Sequence, residues 1–443
     1  MASYEDREAF IPYRRTDVIE LCLEDGQLSD ADAQKFRDFC SILLAYYHFK
    51  FHAYQERLKD NYALFNPDSA TKLREEPTPE RLADMEAKLV DDFETILARA
   101  NYVPISPNSL QRAFKEKSVI ELKTKVNFDE FDRIICYCRG DTYKVIQVKK
   151  FYFWKEDKTI DIFERVVLLI KFKDEAYFRD REEDIDSLNF TPGKSYLYYY
   201  KDIPRLDIEL LFPNIKLSMT WKDRLLFGVP AVGAAVPVIL KALPRLALLV
   251  GVILFFTMGT TNILGYSFDE EDVQNFLPVL TATLSLVLVL GGFAYKQYSK
   301  YKSKQIKFRK NVTDTLFFKN LANNASVFQA LIDAAEEEEC KEIILAYYHL
   351  LTSKEPLTPE QLDDQIEAWM DKNFDTKIDF DINGPIGNLE EIQGKVVKDD
   401  EDSSGKSEVS LLTKDDRGRC QVLSLEEAKT LIDYIWDNIF LYT

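Results

Sequence analysis

The sequence predicts an α+β membrane protein, and three observations predict it. Two uncharged apolar runs, Leu246–Gly265 and Phe276–Tyr295, are each about 20 residues, long enough as helices to cross a hydrocarbon core of roughly 30 Å. Helical periodicity over residues 1–115 gives way to strand-like alternation over residues 116–223. Residues 326–443 then read helix, helix, strand, helix, β-wing, helix. The expected architecture is a helical N-terminal module (1–115), an antiparallel β-rich domain (116–223), a two-span transmembrane hairpin and a C-terminal winged-helix-like module (326–443).

In the helical module, the run from Phe10 leads into a short helix ending near Gly26. Ser29 offers an N-cap with Asp32 three residues on, followed by Phe36, Phe39, Cys40, Leu43, Leu44 and Tyr47 at helical spacing. Thr78-Pro79-Glu80 starts a third helix, with Thr as cap and Pro at the first helical position. His48, His52 and Glu56 recur every four residues and share a helix face, a spacing that could hold a divalent cation. The stripe lacks the acid of a His-Glu-x-x-His metalloprotease helix, because Phe49 stands there, and aromatic neighbours favour structural histidines.

In the middle domain, Asp132–Arg139 ends at the turn signal Gly140-Asp141, and Val166–Ile170 reads as a buried strand. Tyr196–Tyr200 is a further strand, Pro204–Leu211 a short helix, and Ile215–Thr220 a last strand. Gly193-Lys194-Ser195 resembles the end of a phosphate-binding loop. The pattern demands Gly at position 188, which is Leu188, and a helix afterwards where a strand is expected, so the triplet reads as a turn.

Positive charge orients the hairpin. Lys222 and Arg224 precede it, and Lys241 and Arg245 sit just before the first span. Lys296, Lys300, Lys302, Lys304, Lys307, Arg309 and Lys310 follow the second. The connecting loop (266–275) carries only acids. Both soluble regions should face the cytoplasm, matrix or stroma. Residues 224–245, with Pro230 and Pro237, fit a membrane-proximal or re-entrant segment better than a third span. Residues 296–325 read as a basic juxtamembrane helix that would attract anionic lipid.

In the C-terminal module, Ser326–Ser353 is a strong helix and Thr358-Pro359-Glu360 caps the next. Lys377–Ile382 reads as a short strand, Asn383–Gly394 as a helix broken by Gly384, Pro385 and Gly387, and Ser424-x-x-Glu427 as a capping box for the last helix. Residues 354–443 hold 22 acids against 10 bases, which disfavours nucleic acid, since DNA contact needs basic side chains. Ile42-Leu-Leu-Ala-Tyr-Tyr-His48 is echoed by Ile343-Ile-Leu-Ala-Tyr-Tyr-His349, through duplication or recurring helix chemistry.

The net charge of −18 extends that exclusion to the whole chain. The six cysteines form no Cys-x-x-Cys pair and read as reduced, buried thiols. The N-terminal residues have neither secretory nor transit-peptide character, so the hairpin itself is expected to direct insertion.

Several short motifs, in order, then resemble a known family. They are Phe10-Ile-Pro with Asp17-Val-Ile-Glu-Leu, His48-Phe-Lys-Phe-His52, Phe131-Asp-Arg and Lys201-Asp-Ile-Pro. They continue with Asp207-Ile-Glu-Leu-Leu-Phe-Pro, Asp223-Arg, Gly228-Val-Pro, Asn320-Leu-Ala-Asn-Asn and Ala334-Ala-Glu-Glu-Glu-Glu-Cys-Lys-Glu. The set is similar to the transmembrane protein 143-like family, which carries a domain of unknown function. The resemblance implies a membrane protein and transfers no catalytic residue.

No nucleophile–base–metal constellation stands out, so no cofactor is expected. The leading expectation is a non-enzymatic anchored scaffold or regulator whose partners are the bilayer, with anionic lipids, and other proteins. The alternatives are an oligomeric transport or channel component and a metal-dependent membrane enzyme using His48, His52 and Glu56.

Overall fold

A computed structural model describes residues 10–70, 77–105, 123–151, 154–218, 262–263, 266–267, 276–396 and 407–442. The chain divides into two compact units. One comprises Met1–Lys115, Phe128–Ile208 and Lys319–Thr443, and the other Glu116–Asn127 and Glu209–Phe318.

In chain order the elements are helices α1 (Arg15–Glu24), α2 (Asp30–Tyr62) and α3 (Pro79–Arg99), then strands β1 (Val103–Pro104) and β2 (Lys123–Lys125). Two long strands follow, β3 (Phe131–Phe151) and β4 (Trp154–Phe172), then α4 (Glu175–Arg179), β5 (Ser195–Pro204) and β6 (Lys216–Ser218). After β7 (Asn262–Ile263) and β8 (Tyr266–Ser267) come α5 (Phe276–Lys319), β9 (Asn320–Asn323) and α6 (Ala325–Thr352). The C-terminal part is α7 (Pro359–Phe374), α8 (Asn383–Glu391), β10 (Gln393–Val396), β11 (Ser407–Ser410), β12 (Leu412–Lys414), β13 (Cys420–Val422), α9 (Leu425–Asp437) and α10 (Ile439–Tyr442).

The first unit is built around α6. Every residue from Glu338 to Leu350 is buried, so this helix is enclosed on all sides, as expected of a core helix. The Phe39 ring of α2 lies 4.5 Å from that of Tyr347, and the rings of Tyr62 and Phe93 meet Phe328 at 5.2 and 6.1 Å. The helix starts follow local chemistry. The side chains of Ser29, Thr78, Thr358 and Ser424 each accept from the backbone N–H three residues on, and the last two complete capping boxes with Gln361 and Glu427.

A five-stranded sheet of order β1-β3-β4-β5-β9 packs on these helices. Val167, Leu169, Leu197 and Tyr199 join the helical core. The alternate residues Val166, Leu168 and Ile170 are buried too, and Phe172 stacks on Phe190 at 3.5 Å. β4 therefore hides both faces, which accounts for its unbroken apolar run. Strands β3 and β4 outrun the sheet, because β4 pairs with β5 only as far as Ile162↔Pro204. Gly140 has a left-handed backbone, with φ +69°, and a Cβ there would stand 2.7 Å from Glu164 Cγ. Only glycine fits both requirements without displacing a neighbour. Gly193 forms the turn before β5, and Lys194 Nζ donates to the Leu64 carbonyl at 2.7 Å, so the Gly-Lys-Ser triplet is structural.

The second unit includes the β2–β6 pair, the β7–β8 pair and α5 as far as Phe318. It corrects the expected α+β membrane fold and its multi-pass localisation. Among the described residues no helix is long and apolar enough to cross a membrane. Asn262 and Ile263, expected to close the first span, are instead strand residues paired with Ser267 and Tyr266. The lysine-rich stretch continues the helix that begins at Phe276, as its helical pattern leads one to expect, in one 44-residue helix ending at Lys319. The rest of Leu246–Gly265, and residues 224–245, lie outside the described residues, as do Lys222, Arg224, Lys241 and Arg245. What stands is a mixed helix-and-sheet fold.

Two smaller differences follow from long-range pairing. The basic helix stops at Lys319, because Asn320–Asn323 pair with β5 as the fifth strand. Among the described residues Lys377–Ile382 forms only a single β-bridge at Ile378 rather than a strand, although Ile378, Phe380 and Ile382 alternate inward and are buried.

Candidate functional site

The sequence Ala334–Glu342 places five glutamates and a lysine inside the core helix α6, and burying charge is costly unless each group is paired. The partners come from distant segments. Glu336 Oε1 meets Arg15 Nη1 at 2.6 Å, and its Oε2 meets His48 Nδ1 at 3.0 Å. Glu337 accepts from the Arg15 amide at 2.8 Å. Glu338 Oε1 accepts from the Ile11 amide at 2.6 Å, while Lys341 Nζ contacts Glu338 Oε2 at 2.6 Å and donates to the Ile11 carbonyl at 2.5 Å. Arg99 Nη1 approaches Glu339 Oε2 at 3.5 Å, and Asn101 Nδ2 donates to Glu342 Oε1 at 3.2 Å.

Burial pushes the carboxyls of Glu339 and Glu342 up from the usual glutamate range. Arg99 opposes this at Glu339, whereas the charge of Glu338 adds to it at Glu342.

A second polar cluster lies toward the other end of α6. Asp25 accepts from Tyr348 Oη at 2.8 Å, Trp369 Nε1 at 3.0 Å and Gln27 Nε2 at 2.5 Å. Burial raises the Asp25 carboxyl, but these donors outweigh it and hold the group below its ordinary value. His349 is 1% exposed, with Nδ1 3.1 Å from Gln365 Nε2. Burial lowers its imidazole to about 4, against the pull of Asp25, so the ring is neutral at physiological pH.

The His48/His52/Glu56 stripe is taken apart by these contacts. His48 turns to Glu336, and Glu56 pairs with Lys59 at 2.9 Å, with both α2 histidines exposed. Among the described residues no group of three or more His, Cys, Asp or Glu side chains is placed to hold a metal ion. The two echoed heptapeptides diverge at their last residue, His48 being exposed and His349 enclosed. Lys296, Lys300, Lys302, Lys307, Arg309 and Lys310 are exposed along α5, which also carries Lys304.

The charged hub on α6 was not singled out as a site in the sequence. Its signal was present as an acidic run inside an apolar helical pattern, where solvent-facing residues would ordinarily be read. A shallow depression of about 420 Å³ lined by Leu188, Phe190, Thr191, Pro192 and Tyr196 contains no acid, base or thiol.

No solved structure matches the chain. Residues 163–326 match the model of a family described as a protein of unknown function, DUF3754, so this stretch carries a domain of unknown function.

Proposed function

We propose that the chain is a non-enzymatic scaffold or regulator that binds other proteins. The observation that carries this reading is the use made of the charged side chains on α6. Glu336, Glu338 and Lys341 tie together the N-terminal segment, α2 and α6, and so serve the fold. Surface features supply the rest. Phe440 is 82% exposed with its ring against Phe49, and Trp436 lies nearby in sequence on the preceding helix, also exposed. Exposed aromatic anchors of this kind are favoured at protein contacts. The basic half of α5 adds a surface for an anionic partner.

The motif resemblance to the transmembrane protein 143-like family is part of this proposal. Several of its stretches, among them Lys201–Pro204 and Asn320–Asn324, fall inside the matched residues 163–326. Cross-linking of the full chain in its native extract, followed by mass spectrometry, tests the reading. Recovery of a partner cross-linked near Phe440 or along α5 supports it. Turnover of a small molecule without any protein partner would sink it.

A further inference from the structure

Like charges set directly across a strand pair repel, and at one rung of the sheet this fold answers with an acid. Arg133 and Lys171 stand opposite each other on β3 and β4. Glu86 of α3 reaches both, 3.4 Å from Arg133 Nε and 2.6 Å from Lys171 Nζ. Further along the same face the situation recurs without that answer. Arg139 pairs with Arg165, and Arg165 with Lys201, so β3, β4 and β5 each contribute one cation to a single row. Directly opposed side chains point to one side of a sheet, here the side of Val167 and Tyr199, which faces the helices. With strands ~4.8 Å apart, the row spans roughly 10 Å. All three side chains are half-buried. Among the described residues none of them has an ion-pair partner.

The contacts these groups do make fix their direction without supplying negative charge. Arg139 Nη1 donates to the Ala100 carbonyl at 3.2 Å, and its guanidinium lies over the rings of Phe10 and Tyr102, at 4.9 and 5.1 Å. Its Nε is buried and has no acceptor. A buried donor left unmatched is costly, and more so on a charged group. Arg165 Nη1 reaches only the carbonyl of its neighbour Glu164. Tyr102 donates to Tyr199 Oη at 2.9 Å, and the Tyr199 hydroxyl proton has no acceptor among the described residues. Burial and Tyr199 raise the Tyr102 phenol, while Arg139 and Arg165 both pull it down, so both guanidinium groups bear on this hydroxyl pair.

We propose that the row Arg139, Arg165 and Lys201, with the Tyr199 hydroxyl, is a binding site for a phosphate dianion, free or at the end of a small organic phosphate. Guanidinium forks and an ammonium suit an oxyanion that offers several oxygens at once. A phosphate monoester carries about −1.5 to −2 charges at neutral pH, so it offsets more of the row than a single carboxylate does. The scaffold reading uses none of these residues, so either can fail alone.

The test titrates the full chain, held in chloride buffer, with inorganic phosphate and separately with phenyl phosphate. Melting temperature and heat of binding are read against chloride at equal ionic strength. The native chain should show a saturable rise in melting temperature that chloride does not reproduce. The variants are Arg165→Gln and Lys201→Gln, because Arg139→Gln would also lose its ring contacts. Each should bind phosphate about tenfold more weakly. In chloride alone each should melt no lower than the native chain, since one opposed charge is gone. Tighter binding of phenyl phosphate assigns the site to an organic phosphate, and tighter binding of the inorganic ion assigns it to the free anion. No response of the native chain to either probe, an equal response to chloride, or unchanged affinity in both variants overturns the proposal. So do variants that melt lower in chloride, which would make the cations props of the fold.

Discussion

Ile11 and Glu338 stand 327 residues apart in the chain and are joined by an amide-to-carboxylate hydrogen bond of 2.6 Å. Lys341 closes the arrangement by contacting Glu338 and donating to the Ile11 carbonyl. The start of the described chain is thereby fastened to the core helix through groups that are themselves almost fully enclosed.

Lys341→Met should therefore cost about 3–5 kcal/mol, because Glu338 would keep its burial and lose its cation. The two side chains are each 4% exposed, so solvent cannot take over the role. Urea unfolding measures the loss. Glu338→Leu/Lys341→Leu should recover only part of it, since the Ile11 amide then lacks its acceptor. A native-like midpoint for Lys341→Met would contradict the arrangement.

His349 makes stability depend on pH in a definite direction. Its folded value of about 4 lies below the ordinary 6.5, so between these values the unfolded chain binds the extra proton. Its stabilising contribution is complete above about pH 6.5 and is lost as pH falls toward 4. Asp363 acts with the opposite sign. Burial first, and then neighbouring acids such as Glu367, raise it from 3.8 to about 6, so its contribution is present at low pH and lost as pH rises through that range. Comparing the native chain with His349→Gln isolates the histidine. Between pH 7 and 4.5 the native chain should lose about 2–3 kcal/mol relative to the variant. Parallel stability profiles would contradict the enclosed, neutral ring.

Ser424→Ala should weaken α9 by about 1 kcal/mol. Both halves of its capping box are present, the Ser424 hydroxyl accepting from the Glu427 amide and the Glu427 side chain accepting from the Ser424 amide. Denaturant melts of the single variant and of Thr358→Ala should show losses of similar size.

Gly140→Ala should cost about 1 kcal/mol or more, since it combines a left-handed backbone with a contact at 2.7 Å. Gly140→Ala/Glu164→Ala should relieve the contact but not the backbone strain. Thermal unfolding of the pair separates the two contributions, and full recovery in the double variant would argue against the strain.

Features written in short windows were legible before the structure. Ser29, Thr78, Thr358 and Ser424 announce their helices because a cap satisfies amides within its own turn. Gly193 and the residues around it announce a turn for the same local reason. The hub on α6 was not legible, because His48 and Glu336 are separated by 288 residues and neither carries a local sign of the other. β9 was hidden likewise, since only its pairing with Tyr198–Tyr200 distinguishes Asn320–Asn323 from the helix before it. The membrane hairpin rests on hydropathy, flanking charge and motif resemblance, none of which reveals that Asn262-Ile263 pairs with Tyr266-Ser267.

The fifth strand also bears on where the chain can be divided. The recognisable stretch, residues 163–326, begins inside β4 and ends in the first turn of α6. Excised at those points, it would keep β5 and β9 yet forfeit β3 from one side of the sheet and the helix that roofs the other. Family match and packing therefore have different borders in this molecule: the matched segment stops short of the strand and the helix that its own sheet leans on.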